Sequence, residues 1–380
     1  MIAAVRSQMS VNEPVLFVAF ELSKKDWKLA MTSGFGVTPW LKTVASGDLG
    51  AVARLVGAAR ERFQLPATAR VVSCYEAGRD GFWIHRAVQA RGLENRVVDS
   101  ASIEVNRRAR RTKTDRIDAL KLVMMLVRVW CGEQHVFATV RVPSDAAEAA
   151  RHRSRERTAL IQEQTRLRNQ IGSWLATAGC RVSARTRQQV AWWADVRDWA
   201  GAALPPAVQA RIARAEARLA LIAEQVATIE TSQAAAVQEA APTSALSRLV
   251  QLKGIATTSA SVLLDEGLVW RAFQNRREIG GLLGFAPAKY DSGESSRDQG
   301  VTRAGNKRLQ AVMVQLAWGW VHWQPQSELT QWYLARFGRG RRARRIGIVA
   351  LARKLLIALW RYATAGVCPA GAVLKAGADA

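Results

Sequence analysis

The chain of 380 residues carries 55 Lys and Arg against 31 Asp and Glu, which gives a formal net charge of +24. Hydrophobic residues make up 49% of the sequence, enough to build real cores and to exclude disorder throughout. No apolar run reaches the length of about 18 residues that a membrane span needs, and no secretory leader pattern begins the chain. The four cysteines are far apart, so we expect a soluble cytoplasmic protein without a disulfide framework or a zinc site.

Residues 1–145 alternate between strand-like and helix-like patterns. Short runs rich in β-forming residues predict strands, and apolar residues at helical spacing predict helices. The predicted strands are 15–22, 27–32, 40–44, 70–75 and 95–98, and the predicted helices are 48–63, 81–91 and one that begins near residue 114. Three strands followed by alternating helices and strands favour a mixed sheet covered by helices, which is an α/β domain.

Four acidic residues of this region fall where their side chains can meet. Glu21 and Glu76 end predicted strands, while Asp115 and Asp118 share one face of the first turn of the last helix. A cluster of four carboxylates repels itself unless it holds hard cations, and Mg²⁺ takes carboxylate oxygens together with substrate phosphates. Two such ions clamp the attacking and leaving oxygens of a phosphodiester displacement. We favour metal binding here over the alternative that the helical acids only complement the helix dipole.

Residues 146–242 predict a helical hairpin with a coiled-coil seam. Apolar residues recur every seven positions before a break at Pro205 and Pro206. After the break, the 4-3-4-3 spacing of a coiled coil is followed by Val208, Ile212, Ala215, Leu219, Ile222, Val226 and Ile229. The pattern leaves open whether the two helices pair within one chain or between the protomers of a dimer.

Residues 243–380 predict a mainly helical domain. The segment 249–264 looks like a helix-hairpin-helix, in which a turn containing a glycine such as Gly254 offers backbone N–H groups to a DNA phosphate. The usual second glycine of such a hairpin is Ala256 here. The polar stretch 289–297 predicts an exposed loop, whose serines become candidate nucleophiles only if a phosphodiester and a base or metal reach them.

Much of the positive charge is concentrated in three arginine-rich clusters, at 107–116, 151–157 and 336–345. The fork of donors on arginine suits phosphate, so three such clusters favour a nucleic-acid partner over a merely solvated basic surface. A basic helix on a membrane surface is the alternative for the third cluster alone. The predicted nucleic-acid contacts are Arg107, Arg108, Arg110, Arg111, Lys113, Lys253, Arg303, Lys307, Arg341 and Arg342.

Motifs in both halves of the chain resemble those of one transposase family. In the N-terminal half they are FVAFELSK at 17–24, CYEAGRDGF at 74–82 and RTKTDRIDA at 111–119. In the C-terminal half they are Gly254-Ile255, GFAP at 284–287, Ser292-Gly293 and Gly305-Asn306. Their order and spacing are similar to those of the insertion-sequence 110 family with its 1111 branch, which also includes the Piv DNA invertase.

The resemblance implies a RuvC-like domain of the RNase H fold at 1–145, a coiled-coil linker and dimerisation region at 146–242, and a C-terminal transposase domain at 243–380. It implies DNA recombination through a tetrad of acids and a serine nucleophile, which fall on Glu21, Glu76, Asp115, Asp118 and Ser292. The first acid departs from the pattern, because the family has Asp there and Glu reaches one methylene further. Ser295 and Ser296 lie close enough in sequence to compete with Ser292 for the role of nucleophile.

The resemblance also implies the partners of the reaction. The acids would bind Mg²⁺ or Mn²⁺, and the chain would act on donor and target DNA, guided by a structured RNA that the element encodes. A homodimer or tetramer in the bacterial cytoplasm, associated with the nucleoid when bound, would combine acids and serine from different protomers. Two alternatives are a RuvC-like junction nuclease that hydrolyses DNA without using the serine, and a nucleic-acid-binding protein without catalysis.

Overall fold

The computed structural model describes residues 13–103, 115–183, 185–268, 270–271, 273–292, 295–302 and 305–375, and of the described part of 287–300 the backbone alone. Contacts divide the chain into two compact units, Met1–Val142 and Pro143–Ala380. No helix in the described part of the chain is long and apolar enough to cross a lipid bilayer.

The first unit is built on a five-stranded mixed sheet. Its strands are β1 (Val15–Leu22), β2 (Asp26–Thr32), β3 (Trp40–Ala45), β4 (Arg70–Glu76) and β5 (Glu94–Val98). Their spatial order is β3-β2-β1-β4-β5, with β1, β2 and β3 antiparallel and with β4 and β5 parallel to β1. The mixed α/β architecture predicted from the sequence is confirmed.

Helices cover both faces of this sheet. They are α1 (Leu49–Arg62), α2 (Trp83–Gln89) and α3 (Asp115–Trp130). Leu16, Val18 and Phe20 of β1 are buried with residues of α1 and α2, while the alternate residues Phe17 and Ala19 are buried with residues of α3. The first strand is apolar along its length because both of its faces are buried.

The second unit begins with two long helices that pack against each other within the chain, α4 (Asp145–Thr177) and α5 (Pro206–Glu239). They run antiparallel, since Arg157 near the start of α4 bonds Glu230 near the end of α5 at 2.9 Å. The Arg211 guanidinium near the start of α5 lies 4.1 Å from the ring centroid of Trp174 at the end of α4. Five of the seven predicted seam positions of α5 are buried, and they pack with residues of α4 in one apolar cluster.

The remainder of the second unit is mainly helical, with one two-stranded hairpin. Its elements are α6 (Ala245–Gln251), α7 (Thr257–Leu263), α8 (Arg276–Leu283), β6 (Pro287–Ser292), β7 (Ser295–Val301), α9 (Lys307–Trp323), α10 (Glu328–Phe337) and α11 (Arg341–Ala365). A π-helical turn, Leu264–Leu268, extends α7. Helix α11 is at the centre, because it packs against α6, α8, α9 and α10.

The hairpin of β6 and β7 corrects the prediction of a loop at 289–297. The two strands pair antiparallel, with Lys289 opposite Asp298 and Ser292 opposite Ser295. The sequence hides these strands because they are mostly polar and lack the alternation of apolar residues that marks a half-buried strand.

Candidate active site and nucleic-acid contacts

Glu21 and Glu76 lie side by side at one edge of the sheet. β1 and β4 are parallel neighbours with Phe20 in register with Tyr75, so the next residue on each strand is an acid. Phe20 and Tyr75 belong to the core on the side of α1 and α2. Because successive side chains alternate between faces, the two acids point to the side of α3.

Asp118 reaches the same place from α3. Ala119, Leu122 and Val123 are buried against the sheet, and this packing fixes the first turn of the helix beside the strand ends. A small cavity of about 90 Å³ is lined by Glu21, Glu76, Asp118, Lys121, Ile103, Leu122 and Met125. The structure therefore brings three of the four predicted acids to one cavity, and a lysine lines that cavity with them.

Asp115 is not among the residues that line this cavity. Its carboxylate accepts a hydrogen bond from Lys28 Nζ of β2 at 3.1 Å, and more than half of the Asp115 side chain is exposed. The expectation that all four carboxylates meet at one point therefore needs correction for Asp115. Helical spacing places two acids three residues apart on one face, but it does not ensure that both reach the strand ends.

The chemistry of the three acids suits a hard divalent cation. Among the described residues, no group of three or more His, Cys, Asp or Glu side chains is arranged to hold a metal ion by itself. Mg²⁺ is ordinarily bound by one or two carboxylates together with water and substrate phosphates, so a complete protein cage is not required. The donor set therefore fits a cation that shares its ligands with a phosphate.

A wider opening of about 360 Å³ adjoins the same strand ends. Glu21 and Glu76 line it together with Ser23, Lys24, Arg79 and Asp80. Lysine and arginine beside the acids would offset the charge of a phosphate backbone that approaches them. The edge of the sheet thus offers both cation-binding and phosphate-binding groups.

The three candidate serines lie around the tip of the hairpin. Ser292 ends β6 and is opposite Ser295, and Ser296 is opposite Asp291. The base of the hairpin is held on both sides, since the Thr302 N–H donates to the Ala286 carbonyl at 3.0 Å. The predicted serine therefore lies on a paired strand rather than in an irregular loop.

Two glycines of the C-terminal motifs, Gly284 and Gly305, allow close packing at the base of this hairpin. Gly284 ends α8 with φ of +62°, a conformation that favours glycine. A Cβ on Gly305 would lie 2.7 Å from the Leu282 carbonyl oxygen and closer still to Gly284 N. The two glycines allow the chain before α9 to pack directly on the end of α8.

The predicted helix-hairpin-helix segment forms α6, a tight turn and α7. Gly254 in the turn has φ of +91°. The turn packs on the end of α9, since a Cβ on Gly254 would lie 3.0 Å from Trp323 Cβ and the Lys253 carbonyl accepts from Gln324 Nε2 at 2.8 Å. Lys253 itself is exposed and lies over the Trp323 ring.

The other predicted nucleic-acid contacts differ in their surroundings. Lys307 opens α9 and is exposed, and so are Arg341 and Arg342 at the start of α11. The first turn of α11 contains no acid, so its arginines face the positive end of the helix dipole and would be stabilised by an anion. The remaining predictions lie outside the described residues: Arg107, Arg108, Arg110, Arg111, Lys113 and Arg303.

The second arginine cluster is largely used inside the protein. Arg155 pairs with Glu266, Arg157 pairs with Glu230, and the Arg151 guanidinium lies 5.8 Å from the ring centroid of Trp270. These arginines fasten α4 to its neighbours, which sequence composition alone does not reveal. The charge available to a polyanion is therefore smaller than the net charge of the chain suggests.

Glu266 is the centre of a buried network that the sequence did not reveal. Its carboxylate is 1% exposed and accepts from Arg155 Nε and Nη2 at 3.0 Å each, from Asn306 Nδ2 at 2.6 Å and from Arg308 Nη1 at 3.1 Å. Arg308 also bonds Ser154 Oγ at 2.8 Å. Burial opposes ionisation, but the bonds from Arg155 and Asn306 and the nearby positive charges hold the pKa of Glu266 below its usual value.

This network joins the helical hairpin to the motif before α9. Asn306 caps α9, with its side-chain oxygen accepting from the backbone of Arg308 and Leu309 at 3.1 Å each, and it bonds Glu266 through its amide nitrogen. Asn306 of the Gly-Asn motif therefore both caps α9 and ties the start of that helix to Glu266. The only sequence signal for it was the motif itself, since nothing near Glu266 marks it as buried.

Comparison with known proteins gives consistent matches. Residues 246–331 match the family described as transposase IS116/IS110/IS902 family. The chain is 39% identical over 380 residues to "Putative transposase y4rJ" of Sinorhizobium fredii, covering 95% of this chain and 94% of that protein. It is 26% identical to "Putative transposase y4qE" of the same organism over 77% of this chain and 75% of that protein. It is 27% identical to the transposase for insertion sequence element IS1328 of Yersinia enterocolitica, over 60% of this chain and 66% of that protein.

Proposed function

This chain belongs to the IS116/IS110/IS902 family of transposases, and from that premise we propose that it cuts and rejoins DNA with a serine nucleophile and a divalent cation. The observation that carries the proposal is the convergence of Glu21, Glu76 and Asp118 on one cavity at the ends of two parallel strands. Acids in this arrangement, beside Lys24 and Arg79, suit a scissile phosphate.

The order of strands supports an RNase H-like, RuvC-like reading of the first unit. Three antiparallel strands are followed by two strands parallel to the first, and α3 covers the face toward which the acids point. In this proposal the sheet is the scaffold that fixes two carboxylates by strand register, and α3 supplies the third. Rigid elements of this kind hold catalytic groups more accurately than loops do.

Glu21, Glu76 and Asp118 would hold Mg²⁺ or Mn²⁺, and the bound cation would lower the negative charge of the scissile phosphate. Asp115, paired with Lys28, is then an outer residue that would change partners if it takes part. Glu21 has one methylene more than the aspartate of the family, so its carboxylate can reach farther across the cavity. Lys121, which lines the same cavity, would offset part of the acid charge.

The proposed chemical step belongs to Ser292. Its Oγ gives up its proton to solvent and attacks the phosphorus of one phosphodiester. The bond from phosphorus to one bridging oxygen breaks, and that oxygen takes up a proton from solvent and leaves as a hydroxyl, so no net proton is consumed. The product is a phosphoserine link to one DNA strand. The link conserves a phosphate ester bond, so a second hydroxyl can displace the serine and rejoin DNA without an external energy source.

The basic surfaces would hold nucleic acid by shape and charge. Exposed Lys253, Lys307, Arg341 and Arg342 would contact the backbones of donor and target DNA and of a structured guide RNA. If acids and serine from different protomers form one site, the active species is a dimer or tetramer. Helices α4 and α5 of one chain already pack against each other. A dimer therefore need not form by pairing α4 of one protomer with α5 of another.

The test is a search for an SDS-resistant protein–DNA adduct. Purified protein would be mixed with DNA of the element ends, Mg²⁺ and RNA transcribed from the non-coding flanks of the element. We expect an adduct that is lost in Ser292→Ala and in Asp118→Ala, while Ser296→Ala, the matched serine control, retains it. Nicking without an adduct, unaffected by Ser292→Ala, would instead establish a junction nuclease. Tight binding without any nicking in the presence of Mg²⁺ would establish a non-catalytic binder.

A further inference from the structure

A separate cavity lies in the C-terminal part of the chain, and none of the four predicted acids lines it. It has a volume of about 410 Å³ and opens between the start of α10, the C-terminal half of α11 and the segment 367–370. Its walls include the apolar side chains of Leu329, Ile357 and Val367. The size falls within the range of about 300 to 1,000 Å³ that small-ligand pockets occupy.

Three basic side chains and one acidic side chain line this cavity. Arg276, Lys354 and Arg361 line it together with Glu328. Within the described chain, none of the three cations forms an ion pair, and the Lys354 ammonium lies 4.5 Å from the ring centroid of Trp332. This contrasts with the arginines of α4, which are held by buried or neighbouring glutamates. Because no carboxylate among the described residues neutralises these cations, their charge is available to an anionic ligand.

We infer that this cavity binds one unpaired nucleotide of a nucleic-acid strand, with its phosphate at Arg276, Lys354 and Arg361 and its base against the apolar wall. An apolar wall next to a cationic rim suits a nucleotide, because the base has apolar faces and the phosphate is an anion. A paired base is stacked inside a duplex and cannot enter a cavity of this kind, so the nucleotide must be unpaired or turned out of the helix. The inference rests on the proposed function, because it assigns to the nucleic-acid substrate a contact outside the acidic site.

Cys368 offers a direct reporter of occupancy. It lines the cavity and is exposed, and the other exposed cysteine, Cys131, lies in the first unit. Cys74 and Cys180 are buried. Burial raises the pKa of the Cys368 thiol, so the labelling rate of each cysteine is compared only with its own rate without nucleic acid. Iodoacetamide labelling at about pH 8.5, read by peptide mass spectrometry, measures both rates in one sample.

The probe is a single-stranded 12-nucleotide DNA, with binding measured separately by filter retention. At a concentration about ten times the measured Kd, occupancy predicts roughly a tenfold slowing of labelling at Cys368. Cys131 is the internal control and its rate should not change. Arg361→Gln should abolish the protection of Cys368, whereas Arg218→Gln should leave it intact, because Arg218 is an exposed arginine of α5 that lies outside the three basic clusters and does not line the cavity. A perfectly paired duplex of the same length should give little protection.

Each contrary result has a distinct meaning. If the strand is retained on the filter but Cys368 is labelled at its free rate, the inference is refuted and the proposed function stands. If a mononucleotide protects Cys368 as well as the strand does at equal concentration, the site belongs to a free nucleotide and the inference is refuted. If no nucleic acid is retained even at low salt, both the inference and the proposed function fail.

Discussion

Replacing Glu266 by alanine should destabilise the second unit strongly. The substitution removes the acceptor of four hydrogen bonds and leaves the positive charges of Arg155 and Arg308 facing each other. The side chain of Arg155 is half exposed, so water can replace part of what it loses. The Arg308 side chain is only 16% exposed, so most of the cost arises there.

The magnitude follows from the burial of these groups. Removing one partner of a buried ion pair costs about 3 to 5 kcal/mol, because the other charge is left uncompensated. Because water can solvate the half-exposed Arg155, its loss of a partner costs less than that of a fully buried charge. We therefore expect Glu266→Ala to lower the free energy of unfolding by about 3 kcal/mol. Glu266→Gln keeps the shape and some of the hydrogen bonds and should lose less.

The assay is urea unfolding followed by tryptophan fluorescence and by limited proteolysis, which separates the transitions of the two units. Glu163→Ala is the matched control, since Glu163 of α4 also pairs with an arginine, Arg166 at 3.7 Å, but does so on the surface. Exposed pairs of this kind contribute about 0 to 1 kcal/mol. Because the folded state holds the pKa of Glu266 low, its contribution is present above the ordinary pKa of 4.5 and is lost as the pH falls through the folded value.

Equal effects of Glu266→Ala and Glu163→Ala on the free energy of unfolding near neutral pH would refute this role of Glu266. So would a difference between wild type and Glu266→Gln that is unchanged after acidification well below the folded pKa. Either result would mean that the buried network does not carry the stability that its geometry indicates.

Two further predictions concern the same region. Burial raises the pKa of Asp265 to about 6, so the folded state favours the protonated carboxyl, and stability is lost as the pH rises from 3.8 through 6. Since Asp265 retains some solvent contact, Asp265→Asn should raise the free energy of unfolding by about 1 to 2 kcal/mol at about pH 7.5 and change little at about pH 3.5, as measured by urea unfolding at both pH values. Gly305→Ala should cost at least about 2 kcal/mol because its Cβ would meet backbone atoms of 282–284 that cannot yield cheaply, whereas Gly281→Ala in α8, with open space at its Cβ, should be neutral or slightly stabilising in the same assay.

Much of the fold could be predicted from local patterns. The strand β1 and the two long helices follow from an apolar run and from heptad spacing, and their bounds differ little from the predicted ones. Strand ends also placed Glu21 and Glu76 correctly beside each other, because two parallel neighbours bring their ends to one edge. Local patterns determine where elements begin and end and which side of each is apolar.

Local sequence patterns did not predict the interactions that depend on residues distant in the chain. The hairpin of β6 and β7 has no apolar alternation, and the ion pair of Asp115 depends on Lys28, 87 residues away. Glu266 reads as an ordinary surface glutamate until α4 and α9 bring arginines to it. Partners that are distant in sequence are decided by packing, and a composition count cannot tell an arginine that faces solvent from one that is buried.

The buried network around Glu266 holds α4 near its start, through Arg155. From Arg155 the helix continues for 22 residues to Thr177, which is a rise of about 33 Å. A tilt of about ten degrees at Arg155 would therefore displace the far end of α4 by about 6 Å, slightly more than one helical turn. The bonds of Glu266 to Arg155 and Arg308 thus bear on the direction of the whole helix, and α5, which packs along α4, would move with it.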